Sequence, residues 1–132
     1  MVTTAQKPPA RAARPDLLFR AFADPTRLRI LHLLAPGELC VCDLVDVLRL
    51  PQPKISRHLA YLRRAGMVLA RREGPWMHYR LAPAQNSLQT KLLDCLTCCF
   101  KDLPELAADA RKLRQRRPDR IAPGCAGDNC CP

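Results

Sequence analysis

Cysteine is the residue type in this 132-residue chain with the most chemistry to offer, and its eight copies fall into three groups. Cys40 and Cys42 form a C-x-C pair, Cys95, Cys98 and Cys99 form a second set, and Cys125, Cys130 and Cys131 crowd the C-terminus. Thiolates are soft donors and select thiophilic ions. Metal, metalloid or redox chemistry is the leading use for such a set. Cys40 and Cys42 stand at i, i+2, on different sides of a regular helix, so they converge on one ion only if the first turn is distorted or not yet helical. Cys95, Cys98 and Cys99 stand at i, i+3, i+4 and are adjacent enough on one helix to make a trithiolate site by themselves. The competing reading is packing: Cys95 and Cys99 fall on an apolar stripe, where cysteine serves as a small hydrophobe. Cys98 lies off the centre of that stripe, and the adjacent pairs at 98/99 and 130/131 are unusual for packing alone.

The second chemical feature is charge. Residues 49 to 81 carry eight Lys/Arg against Glu73 alone, which is +7 of the net +10. A solvated basic face is the ordinary reading of a charge run, but this concentration in one segment favours a nucleic-acid partner. Gln52, Lys54, Ser56, Arg57 and His58 open a basic helix and are the expected major-groove residues. Arg71, Arg72 and Arg80 are expected to hold the phosphate backbone. His58 is read as DNA-facing rather than as a metal ligand, and His32 and His78 as ordinary surface residues.

These groups must be held by a small scaffold. With aromatics at 5%, the core is expected to be aliphatic and helical. Residues 1 to 14 lack periodicity and read as a disordered tail. A first helix is predicted over 15–23. Asp24 then caps a second helix with Pro25 at its first position, ending at Pro36-Gly37. A third is predicted from Leu39 to Leu48. After the turn Leu50-Pro51-Gln52-Pro53, a fourth places Ile55, Leu59 and Leu62 inward and stops at Gly66. Residues 67–73 and 76–82 alternate as two strands around Gly74-Pro75. Two helices joined by a tight turn and followed by a basic hairpin make a winged helix-turn-helix. The fold class is therefore mainly α (α+β), with a two-stranded wing and terminal dimerisation helices. From about Pro83, a further helix carries Leu88, Leu92, Cys95, Leu96, Cys99 and Leu103 as one long stripe, expected to pair with a second copy. Pro104 starts another helix, running to Arg116-Arg117-Pro118. The expected organisation is a winged-helix and dimerisation domain over 15–104, a C-terminal helix over 105–117 and a flexible Cys-rich tail over 118–132.

No apolar run reaches the ~18 residues that a membrane span needs. The first residues lack the apolar segment of a secretory signal. The cytoplasm, where thiols stay reduced, is the expected compartment, so a disulfide framework is not the expected use of the cysteines. No nucleophile elbow, phosphate loop or acid pair is present, which argues against an enzyme.

At ELCVCDL, QPKISRHLAYLRRAG and REGPWMHYRL, the sequence resembles the ArsR/SmtB family of dimeric winged-helix repressors, most of all its arsenic-responsive members. The resemblance covers about residues 15 to 100. It implies a homodimer that sits on a palindromic operator when metal-free and leaves it when a thiophilic ion binds, controlling an arsenic resistance operon and its own gene. Inducers would be As(III) or Sb(III). One departure stands out: Val45 occupies the position at which such relatives often carry a third cysteine. Three completions follow. Cys95, Cys98 and Cys99 can form their own site, the tail cysteines can reach either site, or the pair alone can bind methylarsenite, which needs two thiolates. The zinc-sensing Asp/His set is absent, since the corresponding helix has Asp94 but no His. Cadmium and lead sensors add N-terminal cysteines, and residues 1 to 39 have none. A redox- or sulfide-responsive repressor and a thiol-rich metalloid carrier are the remaining alternatives.

Overall fold

The computed structural model describes residues 14–99 and 102–119. In chain order the elements are α1 (Pro15–Phe22), α2 (Pro25–Leu34), β1 (Leu39–Cys40), α3 (Val41–Leu48), α4 (Gln52–Arg64), β2 (Val68–Glu73), β3 (Trp76–Leu81), α5 (Ser87–Cys98) and α6 (Pro104–Arg116). The expected winged helix-turn-helix is present, with α3 packed on α4 and the β2–β3 wing following.

Local chemistry sets most boundaries. The Asp24 carboxylate accepts the N–H groups of Thr26 and Arg27 at 2.8 and 3.0 Å, and Pro25 opens α2 as predicted. The chain leaves α3 through Arg49, whose φ of 56° is left-handed, a C-terminal geometry that lets the backbone turn sharply into Leu50-Pro51. At the wing tip Gly74 has φ 60° and Glu73 pairs with Trp76. Proline cannot adopt positive φ, so Gly74-Pro75 makes the hairpin turn that needs only its first central residue there.

The core is aliphatic. Ile30, Leu31, Leu33 and Leu34 of α2, Leu44 and Val47 of α3 and the predicted stripe Ile55, Leu59 and Leu62 of α4 are buried in one cluster. Each such side chain removed from water contributes roughly 1.5–3 kcal/mol. Helix α6 packs on both α2 and α3, with Leu106 and Leu113 buried. Two ion-pair sets lock it there. Arg29 holds the buried Asp109 by two hydrogen bonds of 2.7 and 2.9 Å, and Arg116 and Arg117 both hold the buried Asp43 at 2.8 and 3.0 Å.

Two expectations need correction. The third helix starts at Val41, not Leu39, because Leu39 and Cys40 pair as a short strand with Tyr79 and His78. The β2–β3 wing is two-stranded as expected, and β1 extends it into a three-stranded sheet in the order β1-β3-β2. Helix α5 begins at Ser87, capped by the Asn86 side chain, and ends at Cys98, so Leu103 belongs to no continuous stripe and instead caps α6. No helix among the described residues is long and apolar enough to cross a membrane.

Asp43 tests the α3–α6 lock. Asp43→Asn removes the charge that two guanidinium groups face, so urea unfolding should lose about 1–3 kcal/mol. An unchanged unfolding midpoint would mean that the lock contributes nothing to stability.

Candidate functional site

The C-x-C pair occupies the junction between β1 and α3. Cys40 is the N-cap residue, with φ −75° and ψ 151°, and Cys42 lies within the first helical turn. The first turn is therefore not yet helical at Cys40, which is the condition under which an i, i+2 pair can converge. The Cys40 sulfur accepts the Cys42 N–H at 3.3 Å, while the Cys40 N–H donates to Asp43 Oδ2 at 3.1 Å. Both halves of a capping box are thus in place, with a thiol where serine or threonine is usual. Cys40 is buried and Cys42 is exposed. Burial, the contact with the Cys40 thiol and the Asp43 charge push the Cys42 thiol above its ordinary pKa, and Arg116 pulls the other way.

A cavity of about 580 Å³ opens beside this turn. Cys40, Val41, Cys42, Val45 and Asp46 form one wall, and Gln52 and Ser56 at the start of α4 form a second. Pro75, Trp76, Met77 and Tyr79 of the wing close the third side, with Arg116 at the rim. Trp76 is 56% exposed, large for an aromatic with no role in the core.

The second cysteine set is divided. Cys95 is half-buried and Cys99 exposed, and their thiols interact; burial, then Cys99, raises the Cys95 pKa. Cys98 is only 3% exposed and is disulfide-bonded, a departure from the expectation of thiols throughout. The off-stripe cysteine is thus the buried one, and the predicted trithiolate of Cys95, Cys98 and Cys99 is not assembled. Among the described residues no three His, Cys, Asp or Glu side chains are grouped to hold a metal ion. Cys125, Cys130 and Cys131 lie outside the described residues.

The basic residues make a continuous surface around α4. Gln52, Lys54 and Arg57 are exposed, and Ser56 and His58 are half-buried. Lys54, Arg57, His58, Tyr61 and Arg64 line a groove of about 500 Å³ together with Arg27 of α2. The Arg27 guanidinium lies 4.0 Å over the Tyr61 ring and donates to the Arg20 carbonyl at 2.8 Å. Sequence reading missed Arg27, since nothing in α2 alone announces that it crosses to α4. Burial lowers the His58 pKa, with Asp24 opposing. On the wing, Arg72 and Arg80 are exposed, and the Arg80 charge helps to hold the Glu38 carboxyl below its ordinary pKa. Arg71 differs: it holds Glu38 through two hydrogen bonds, the shorter 2.6 Å, and also contacts Glu73 at 3.3 Å.

Comparison with known proteins agrees with this geometry. Residues 24–69 match the model of the arsR family of bacterial regulatory proteins. The arsenical resistance operon repressor of Escherichia coli (strain K12) is 43% identical over 116 residues, covering 87% of this chain and 92% of that protein. Among solved structures, HlyU from Vibrio cholerae superposes with a TM-score of 0.57 at 37% identity, covering 66% of this chain and 95% of that one. The AntR antimony-specific transcriptional repressor superposes with a TM-score of 0.54 at 30% identity, covering 71% and 86%. The helix-turn-helix and the wing thus have their counterpart in a known group: the chain belongs to the arsR family of bacterial regulatory proteins.

Proposed function

We propose that this protein is a metalloid-responsive transcriptional repressor, with no enzymatic activity, that holds operator DNA when ligand-free and releases it when trivalent arsenic or antimony binds cysteine thiolates. The observation that carries this reading is the position of Cys40 and Cys42 at the capping turn of α3, the helix on which α4 rests. A ligand that chelates both sulfurs reshapes that turn, and so binds one arrangement of the α3–α4 unit better than the other. Differential affinity of this kind is what a ligand-operated switch requires. The similarity to an arsenical resistance operon repressor and to an antimony-specific repressor supports the same ligand class.

On the DNA side, Gln52, Lys54, Ser56, Arg57 and His58 enter the major groove, and Arg72 and Arg80 hold phosphates. Arg71 is the weakest of the wing candidates, because its guanidinium already serves Glu38 and Glu73. Arg27 joins the phosphate contacts from α2. The working unit is a cytoplasmic homodimer joined through the faces of α1 and α5 that one copy leaves uncovered. Phe19 on α1 is 54% exposed, and Leu88, Leu92 and Cys95 on α5 are only half-buried. Cys95 and Cys99 then form a second dithiol within or beside that interface.

Gel-shift titration on a fragment carrying the promoter of its own gene tests the reading. Arsenite or antimonite should release the fragment, and the Cys40→Ser/Cys42→Ser double variant should bind DNA normally but no longer respond. Release by peroxide with indifference to arsenite would identify a redox sensor instead. Persistence of the response in that variant, with its loss in Cys95→Ser/Cys99→Ser, would move the sensor to α5. Arg57→Ala should weaken specific binding by ~1–3 kcal/mol if Arg57 reads a guanine. Unchanged discrimination between operator and random DNA would reduce it to a backbone contact.

A further inference from the structure

The wing carries three arginines, Arg71, Arg72 and Arg80, and the sheet sorts them by face. Cys40, His78 and Arg71 are paired in one row across β1, β3 and β2. Residues directly opposite in antiparallel strands share a face, as do residues two apart along a strand. Arg71, Glu73, His78 and Arg80 therefore stand on one side, and Glu38, which leads into β1, closes on them. The Arg71 guanidinium donates to both Glu38 carboxylate oxygens, at 3.1 and 2.6 Å, and to Glu73 at 3.3 Å. His78 lies 3.5 Å from the same Glu73 oxygen. Arg71 above all, with His78 and Arg80 adding, holds the Glu38 carboxyl below its ordinary pKa, so the acid is charged at neutral pH. Two arginines on this face thus meet two carboxylates. Arg72 lies on the other face, opposite Met77. The groove along α4 is different again: Arg27, Lys54, Arg57 and Arg64 line it, and no carboxylate does.

We infer that Glu38 and Glu73 act as a charge mask on Arg71, withholding it from the DNA backbone and so limiting the sequence-independent affinity of the wing. The inference rests on the DNA-binding role proposed above. Sequence-independent binding comes almost wholly from basic side chains that neutralise phosphates and release their counterions. An arginine that already faces two carboxylates gains little by such a contact. A phosphate oxygen only replaces a carboxylate oxygen, and the abandoned carboxylate is left facing the polyanion. An exposed ion pair adds little to folding stability, so the effect of this one lies in which anion Arg71 serves. Arg72 and Arg80 then remain the phosphate contacts of the wing. The mask sets how tightly the protein holds any DNA and how steeply salt loosens it, without touching the base contacts of α4.

The test measures the salt dependence of DNA binding by the full-length protein, on operator and on random-sequence duplex. Glu38→Gln/Glu73→Gln should tighten both severalfold at physiological salt, with operator preference unchanged. The slope of log Kobs against log salt should steepen by about one per protomer bound. Glu105→Gln removes an exposed acid on α6, away from the mask, and should leave the slope as it was. Arg71→Ala should change little by itself but should abolish the gain when added to the double glutamine variant. The difference between its effects in the two backgrounds is the coupling that defines the mask. A slope that falls in Arg71→Ala alone would overturn the inference, because Arg71 would then already neutralise a phosphate. A gain that survives Arg71→Ala would also overturn it, as a mere net-charge effect. So would an unchanged slope, weaker operator binding or altered operator preference in the double glutamine variant, the last two marking the acids as positioning groups for the wing. Failure of the unmodified protein to bind either duplex would sink the repressor reading and this inference with it.

Discussion

A single buried carboxylate holds the functional half of this molecule together. Asp43 is 3% exposed, and desolvating a carboxylate is costly unless its oxygens are fully occupied. Here they are. One oxygen accepts Arg116, and the other accepts both the Cys40 N–H and Arg117. The same group therefore starts α3, fixes the backbone at the first cysteine and pins the far end of α6. Arg116 extends the clamp to Asp46 at 3.1 Å, so the last turn of α6 spans the exposed first turn of α3. Because Arg116 also lines the cavity beside Cys42, the C-terminal helix is a structural part of the thiol site, not an appendage to the domain.

That clamp explains how a surface turn can be ordered enough to act. Helix α3 has only eight residues, too few to be stable in water by itself. Its order comes from Leu44, Val47 and Leu48 buried against the core on one side and from the ion pairs on the other. It is closed at its C-terminus by the left-handed Arg49, which delivers the chain into α4 with almost no slack. Movement at the start of α3 has few places to dissipate before it reaches Gln52 and Ser56.

Much of this was legible in the sequence, for reasons that can be named. Asp24-Pro25, Gly74-Pro75 and the inward stripe Ile55, Leu59 and Leu62 are local signals. Each uses capping, turn or periodicity chemistry decided within a few residues, and each stands where expected. The strand at Leu39–Cys40 was not legible, because two residues have no periodicity and their pairing partner lies about forty positions away. The α5 stripe was legible in part. Its spacing identified Leu88, Leu92, Cys95 and Leu96 as one apolar face, but it could not show that Cys98, off the centre of that face, is buried. Arg27, Arg71 and Arg116 are arginines with well-defined partners in α4, in Glu38 and in Asp43. A count of charges along the chain treats all three alike. It therefore cannot register that Arg71 is engaged by Glu38 and Glu73, or that the other two have partners of their own.

The thiol pair is unequal, and the inequality bears on how it could work. Cys42 is exposed and open to a ligand, whereas the Cys40 sulfur is buried and engaged as the helix cap. A ligand that takes both sulfurs must divert Cys40 from the Cys42 N–H, and losing an N-cap costs about 1 kcal/mol. Two metal–thiolate bonds greatly outweigh that cost, so the cap yields. The Cys40 N–H still has Asp43, so the turn is re-aimed instead of unravelling. The consequence is directional. On the proposed reading, the start of α3 would shift while Asp43 remained anchored to α6, and the displacement would pass along α3 toward the turn into α4. A cysteine used as the helix cap would thus make ligand capture and helix geometry the same event, which a thiol pair placed in mid-helix would not.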